Sequence, residues 1–387
     1  MPGIQVQIAS SCHLTDRVKN MITSITFSVV RLTIRRDKEI LGIGTGFLYR
    51  RNKQYYLVTA WHNLSGRHSL TLKPIHSQGG LPNNMIVDMP NIYHYPKNDR
   101  PAMVTRRSVR FEFDDGTTTS YLVHQQSWPR VDVAAFPFNP AENIQHETLI
   151  STGPIEFISP LTLTQPDGSR LDIIALSDDP MVPEFPAMFG TSDQIVHSVG
   201  DDLFLLGFPA GVMDYSVTPI WKRATIATDP SVGWNRQKQF LVDAASRKGM
   251  SGGPAIYYNK FGRLPVQPGS DISIGTPVRI LHGVYVGRFG DSEFEAQVGI
   301  IWKKEVIDEI IDHGRIALST ELIEVGLNDI DRAIQDAWRA DLDPDLYLDE
   351  KPPLYSFTNH LVEKLDGRAN PEIVAERLKK FAATKKA

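Results

Sequence analysis

From Ile25 onward the chain alternates apolar and polar residues in short runs rich in Val, Ile, Thr, Tyr and Phe. A period of two marks a strand with one buried face. The pattern predicts strands at 26–33, 43–49, 55–59, 69–72, 109–113, 120–124, 133–136, 203–206, 223–227, 239–242, 255–258, 281–286 and 296–301. Clusters of Gly, Pro, Asn and Asp separate them, which predicts an all-β barrel or sandwich rather than βαβ units. Helical spacing enters only after about Lys303. Val306, Ile307, Ile310 and Ile311 form one apolar stripe. Ile330, Ala333, Ile334, Ala337 and Trp338 form a second, spaced i, i+3, i+4, i+7 and i+8. Asn370-Pro371 reads as an N-cap followed by a first-turn proline, and Val374, Leu378 and Phe381 share a face of the helix it opens. An acidic linker occupies 341–350, and a short helix is expected at 15–22.

Composition narrows the class. The 387 residues contain 28 Gly and 26 Pro, which fits a turn-rich β protein. Lys and Arg number 41 against 45 Asp and Glu, so 41 − 45 gives a formal charge of −4. That balance argues against nucleic acid as a partner, because neutralising phosphates takes a clear basic excess. The single cysteine, Cys12, rules out an intrachain disulfide framework and any zinc site built on paired cysteines. No His-Glu-x-x-His motif is present, so no metal and no cofactor are expected. The N-terminus lacks a basic segment followed by an apolar one, and no apolar run approaches about 18 residues. The expectation is a soluble, cytoplasmic protein with no membrane partner.

The segment Lys248-Gly-Met-Ser-Gly-Gly-Pro254 carries the most chemistry. A serine in a tight glycine-flanked turn can expose its hydroxyl while two backbone N–H groups, those of Gly249 and Ser251, converge on one hollow. Such a pair forms an oxyanion hole, each donor contributing roughly 3–4 kcal/mol to the transition state of acyl transfer. An ordinary glycine-rich turn is the other reading of these residues alone. Gly-Met-Ser-Gly-Gly-Pro resembles the nucleophile motif of trypsin-like (chymotrypsin-fold) serine peptidases, with Met250 where that family has a small polar residue.

Two further segments agree with this resemblance in order and type. Tyr55-Tyr-Leu-Val-Thr-Ala-Trp-His-Asn63 is similar to the family's strand ending in its histidine, and it follows Gly44-Thr-Gly-Phe47, similar to the stretch that opens the first barrel. Arg130-Val-Asp-Val-Ala-Ala-Phe136 is similar to the family's aspartate strand. A carboxylate in an apolar strand needs a partner, since burying it alone costs several kcal/mol. The resemblance therefore implies His62 as general base, Asp132 as its orienting carboxylate and Ser251 as nucleophile. His68, His76, His94, His124 and His282 lack that context and read as structural. Asp114 and Asp115 read as a hairpin turn.

The resemblance covers roughly 25–313. It implies two six-stranded antiparallel β-barrels with a C-terminal helical appendage. The expected division is an N-terminal extension at 1–24, a peptidase domain at 25–315 (barrel one about 25–140, barrel two about 195–315) and the appendage at 316–387. Gln78-Gly-Gly-Leu-Pro-Asn-Asn and Tyr93-His-Tyr-Pro-Lys-Asn-Asp read as long loops before Asp132, and Leu205-Leu-Gly-Phe-Pro-Ala-Gly211 resembles a second-barrel segment of bacterial members. Leu281-His-Gly-Val-Tyr-Val-Gly-Arg288 resembles the strand that pairs with substrate, which makes Val286, Gly287 and Arg288 candidate substrate-binding residues. Ala245, six residues before Ser251, takes the position of the primary pocket floor, with Asp243 two residues away. The expected activity is serine endopeptidase with a protein or peptide substrate. The alternative is a latent or catalytically weak fold that binds peptides as a scaffold. A regulatory partner acting through the C-terminal helices fits either. The lack of disulfides matches a bacterial-type member of the family.

Overall fold

The computed structural model describes residues 23–386, except 53, 77, 95–100, 139–160, 165–169, 174–175, 178–196, 214–217, 236, 268–269, 274–277, 289–296, 319–324, 350, 366–368 and 370. Cys12 and the helix expected at 15–22 lie outside the described residues. After a four-residue turn of helix, α1 (Thr23–Thr26), strands β1 (Val29–Arg36), β2 (Glu39–Arg51) and β3 (Gln54–Thr59) form an antiparallel meander. The short helix α2 (Trp61–Ser65) follows β3. β4 (Asn84–His94) and β5 (Pro101–Glu112) make a long hairpin on the other edge of β1. β6 (Thr118–Val123) pairs with β7 (Ala134–Phe138), and β7 pairs with β3. With β8 (Leu161–Thr164), β9 (Arg170–Ile173) and β10 (Leu176–Ser177) these strands belong to one curled 11-stranded sheet.

The second unit is a closed antiparallel barrel. It consists of β11 (Asp202–Gly207), β12 (Ile220–Ile226), β13 (Gln239–Asp243), β14 (Gly253–Asn259), β17 (Val278–Arg288) and β18 (Val298–Lys303), in the order β11-β12-β13-β18-β17-β14. A small hairpin, β15 (Arg263–Gln267) with β16 (Ser270–Ser273), extends between β14 and β17. Helix α3 (Lys304–His313) then leads to β19 (Arg315–Leu318), which returns to pair with β6 of the first sheet. Three helices end the chain: α4 (Leu327–Ala337), α5 (Pro352–Lys364) and α6 (Pro371–Lys386).

The protein is thus mainly β, with two β units and C-terminal helices in the chymotrypsin-like layout the sequence implies. Three details differ from expectation. The first unit is an 11-stranded sheet rather than a six-stranded barrel, because β4–β5 and β8–β9 extend it beyond β1; Tyr93 and His94, read as loop, end β4. Residues 69–72 turn instead of forming a strand, and Leu72 sits at φ 58. Arg315–Leu318 spans the expected start of the appendage but belongs to the first sheet.

Two-residue alternation sorts side chains between two cores. Leu48 and Leu57 face the core of the first sheet, whereas Phe47, Tyr49, Tyr56 and Val58 face the second barrel. The central strands of the first sheet are therefore buried on both faces. Leu206, Phe208, Ile256, Val284 and Trp302 meet them from the barrel, and Val306, Ile307 and Ile310 of α3 complete the seam. At about 1.5–3 kcal/mol for each large side chain buried, this seam is the main force holding the two units together. The appendage has a separate core, including Ile330, Ile334, Leu354, Leu361, Val374 and Leu378. Among the described residues no helix is long and apolar enough to cross a membrane.

Candidate active site

The chain leaves β3 into the apolar seam and immediately turns into α2. Ala60 caps α2 in extended conformation, and Gly66 ends it in the left-handed region with its N–H donating to the His62 carbonyl (3.0 Å). Trp61, Asn63 and Leu64 are buried, so the helix cannot rotate, and His62, half-buried, is held toward the cleft. Trp61 packs edge-on against Trp128, ring centroids 6.0 Å apart, which joins α2 to the loop carrying Asp132.

Asp132 binds α2 at three points. Its carbonyl accepts from Trp61 N–H (3.2 Å), Oδ1 accepts from His62 N–H (2.9 Å), and Oδ2 lies 2.7 Å from His62 Nδ1. Side-chain exposure is 18% for His62 and 10% for Asp132, so the pair is largely screened from water. Burial pulls the His62 imidazolium toward a lower pKa, but the charge and hydrogen bond of Asp132 outweigh it, and the net shift is upward. With Nδ1–H committed to Asp132, the neutral ring carries its free lone pair on Nε2.

The serine turn is fixed from four directions. Lys248 carbonyl accepts from Ala210 N–H (2.6 Å), Gly249 carbonyl accepts from Thr45 Oγ1 (2.6 Å), and Gly252 N–H donates to Tyr285 carbonyl (2.7 Å). The Ser251 carbonyl accepts from Thr45 N–H (2.9 Å) and from Asn63 Nδ2 (2.9 Å), the residue after His62. Thr59 Oγ1 links the same network by donating to Thr45 carbonyl (2.7 Å) and accepting from Asn63 Nδ2 (3.0 Å). Glycine is required twice. Gly249 at φ 95 would place a Cβ 2.4 Å from Phe208 carbonyl oxygen, and Gly252 at φ 90 would place one 2.0 Å from that of Thr45. Met250 is fully buried in the second-barrel core, so an apolar residue suits this position.

The structure therefore joins the His62 segment, Asp132 and the Ser251 turn in one hydrogen-bonded unit. Among the described residues no hydrogen bond connects Ser251 Oγ to the His62 ring, and the Gly249 and Ser251 N–H groups have no acceptor. His62, Asp132, Val286, Gly287 and Arg288 line a common cleft of about 1790 Å³; Ser251 and Ala245 are not among its lining residues. β14 begins at Gly253 opposite Tyr285, so among the described residues Gly287 and Arg288 pair on one side only, with β18, and Val286 sits at a bulge between them and Tyr285. Among the described residues no strand pairs with the other edge of Gly287 and Arg288, which suits an extended chain. Ala245 is exposed, between buried Ala244 and a buried Ser246 whose Oγ hydrogen-bonds Tyr285 Oη. Asp243 at the end of β13 is exposed as well.

Sequence reasoning missed three supports: Thr45, Thr59 and Arg130. Buried threonines in apolar strands were a visible signal for the first two. Arg130 is 8% exposed and donates to two carbonyls, Leu70 (Nη1, 2.9 Å) and Ala369 in the connection between α5 and α6. Burial lowers its pKa to about 10. Of the histidines read as structural, His68 caps its own turn through Nδ1, His124 pairs with Glu309 (3.3 Å), and His282 is discussed below. Among the described residues no group of three or more His, Cys, Asp or Glu side chains could hold a metal ion.

No protein-family model and no curated protein sequence matches the chain. Solved structures similar to it include bacterial proteases. It matches the Rv3671c protease from M. tuberculosis in its active form at 15% identity and TM-score 0.34, covering 80% of this chain and 92% of that one. It matches the serine endoprotease from Yersinia pestis at 13% identity and TM-score 0.33, covering 75% of this chain and 63%, less than two thirds, of that one. For the MamO protease domain from Magnetospirillum magneticum the values are 12% identity, TM-score 0.33, and 74% and 97% coverage.

Proposed function

We propose that the chain is a serine endopeptidase. The observation that carries this reading is the doubly bonded His62–Asp132 pair, tied through Asn63 to the Gly-Met-Ser-Gly-Gly-Pro turn. A carboxylate that fixes the tautomer and raises the basicity of a histidine, next to a serine in a strained glycine turn, suits acyl transfer. In the proposed reaction Ser251 Oγ attacks the substrate carbonyl carbon as its proton passes to His62 Nε2. Asp132 stabilises the resulting imidazolium. The oxyanion is received by the N–H groups of Gly249 and Ser251. Collapse breaks the C–N bond, His62 protonates the leaving amine, and an acyl-Ser251 ester remains. Water, deprotonated by His62, then releases the acid. The edge of Gly287 and Arg288 with which no described strand pairs supports an extended peptide as substrate.

The alternative, a latent or peptide-binding module, is favoured by one observation: Ser251 Oγ has no hydrogen bond to the His62 ring among the described residues. Such bonds often tighten only when substrate binds. Fluorophosphonate labelling separates the two readings. The wild type should label and cleave unfolded polypeptide, and Ser251→Ala should do neither. A wild type that remains unlabelled across pH 6–9 would exclude the peptidase.

A further inference from the structure

The cleft that holds His62 is not closed by the β body alone. Its far wall is α5, with Pro371 and α6 behind it. Within this one cleft three large apolar side chains face water: Leu70 at 46% exposure and Ile75 at 54% on the loop after α2, and Tyr355 at 49% on α5. Exposed apolar residues scattered singly need no explanation. Three that line the cleft of a proposed catalytic histidine call for an occupant, because covering each removes apolar surface from water.

The two banks are fixed to each other. The Arg130 guanidinium donates to Leu70 carbonyl on one bank and to Ala369 carbonyl on the other. Its described partners are backbone oxygens, so it acts as a tie rather than an ion pair, and it lies two residues from Asp132. The appendage packs around its own core, and among the described residues a cleft lies between it and the β body.

We infer that the C-terminal helices are part of the substrate-binding surface. Leu70, Ile75 and Tyr355 form an apolar exosite that takes side chains of an extended, unfolded polypeptide whose backbone runs toward Val286–Arg288. A folded protein hides its apolar side chains and cannot thread between two walls, so the class of substrate is unfolded polypeptide rich in apolar residues. Arg130 is a positioning residue that keeps both walls in register with Asp132. This inference rests on the peptidase reading for its catalytic consequence but not for its binding one.

The test has two arms, using full-length chains with Leu70→Ser, Ile75→Ser and Tyr355→Ser; these positions are exposed, so folding should persist. In the first arm each change is made in the Ser251→Ala background, and affinity for fluorescent reduced, carboxymethylated α-lactalbumin is measured by anisotropy. Each is expected to weaken binding by about tenfold, with little change between low and high salt. Undiminished binding in all three, or binding that salt abolishes, overturns the exosite. The second arm measures kcat/KM on the same polypeptide and on a tripeptide ester, with fluorophosphonate titration to count competent sites. The variants should lose on the polypeptide, through KM, and not on the ester. Equal loss on both overturns the inference. A wild type that binds but neither labels nor cleaves sinks the peptidase reading while leaving the exosite standing.

Discussion

Two pairs of buried groups in this molecule treat histidine in opposite ways. Beside the first sheet, His62 on α2 has Asp132 against Nδ1 at 2.7 Å, and its pKa rises. In the second barrel, His197 and His282 meet edge to face, ring centroids 4.1 Å apart, under Tyr257 at 4.6 Å from His197. Both nitrogens of His197 and Nε2 of His282 are buried without a hydrogen-bond partner among the described residues. Asp201 Oδ2 stands 3.8 Å from His197 Nδ1, beyond hydrogen-bond reach, and accepts from Ser198 N–H instead. Burial lowers the His197 pKa to about 4, and burial together with the His197 charge pushes that of His282 well down. Burial acts in the same direction at both places. A carboxylate within bonding distance reverses its sign, and one about an ångström further does not.

The largest expected effect comes from removing that carboxylate. Asp132→Asn keeps the shape and the contact to His62 N–H but presents an amide to Nδ1, which favours the wrong tautomer. Activity should fall by about 10⁴-fold in kcat. The His62 pKa, followed by NMR of the ring protons, should drop below the ordinary imidazole value, because burial then acts unopposed. His62 would become electrostatically like His197. In the proposed reaction His62 acts as a neutral base, and its pKa is raised, so activity should climb with pH through a midpoint above the usual imidazole range. A wild-type midpoint below that range would contradict the assigned pair.

What could be read from the chain follows the same division between local and distant causes. The serine turn, the strand leading to His62 and the apolar segment around Asp132 were legible because each motif is continuous, although Asp132, expected within a strand, lies in the loop just before β7. Their meeting through Thr45 was not: its hydroxyl reaches Gly249, 204 residues away. The barrel strands were visible as alternation, but β19 looked like the edge of the appendage, since only its partner β6 makes it a strand. Helix α5, which opens on Pro352 and Pro353, was not among the predicted elements: no stripe was read between the linker at 341–350 and Asn370-Pro371. At the first two helical positions a missing N–H breaks no bond, and Leu354, Thr358, Leu361 and Val362 give the buried face.

A smaller effect is expected from acid. For His197 and His282 the folded pKa lies below the unfolded one, so the unfolded chain binds more protons below about pH 6.5. Stability is then complete above that pH and declines as pH falls, for His197 until about pH 4, with a total on the order of 3 kcal/mol. Urea denaturation at pH 7 and pH 4.5 should show this loss in the wild type. In His197→Phe/His282→Leu the loss should shrink, since neither side chain titrates or leaves a nitrogen unpaired. An unchanged pH dependence in the double variant would assign the acid lability elsewhere.

The smallest effect sharpens the distance argument itself. Asp201 raises the His197 pKa through space while burial lowers it more. Asp201→Asn keeps an oxygen for Ser198 N–H, so the local turn should survive, but it removes the charge. The His197 pKa should fall further, by an amount visible in an NMR titration and too small to move a denaturation midpoint. At 3.8 Å, with the carboxylate 37% exposed, water screens most of the attraction. If Asp201→Asn lowered the His197 pKa as far as Asp132→Asn lowers that of His62, direct hydrogen bonding could not be what separates the two sites. The charge alone would then account for both.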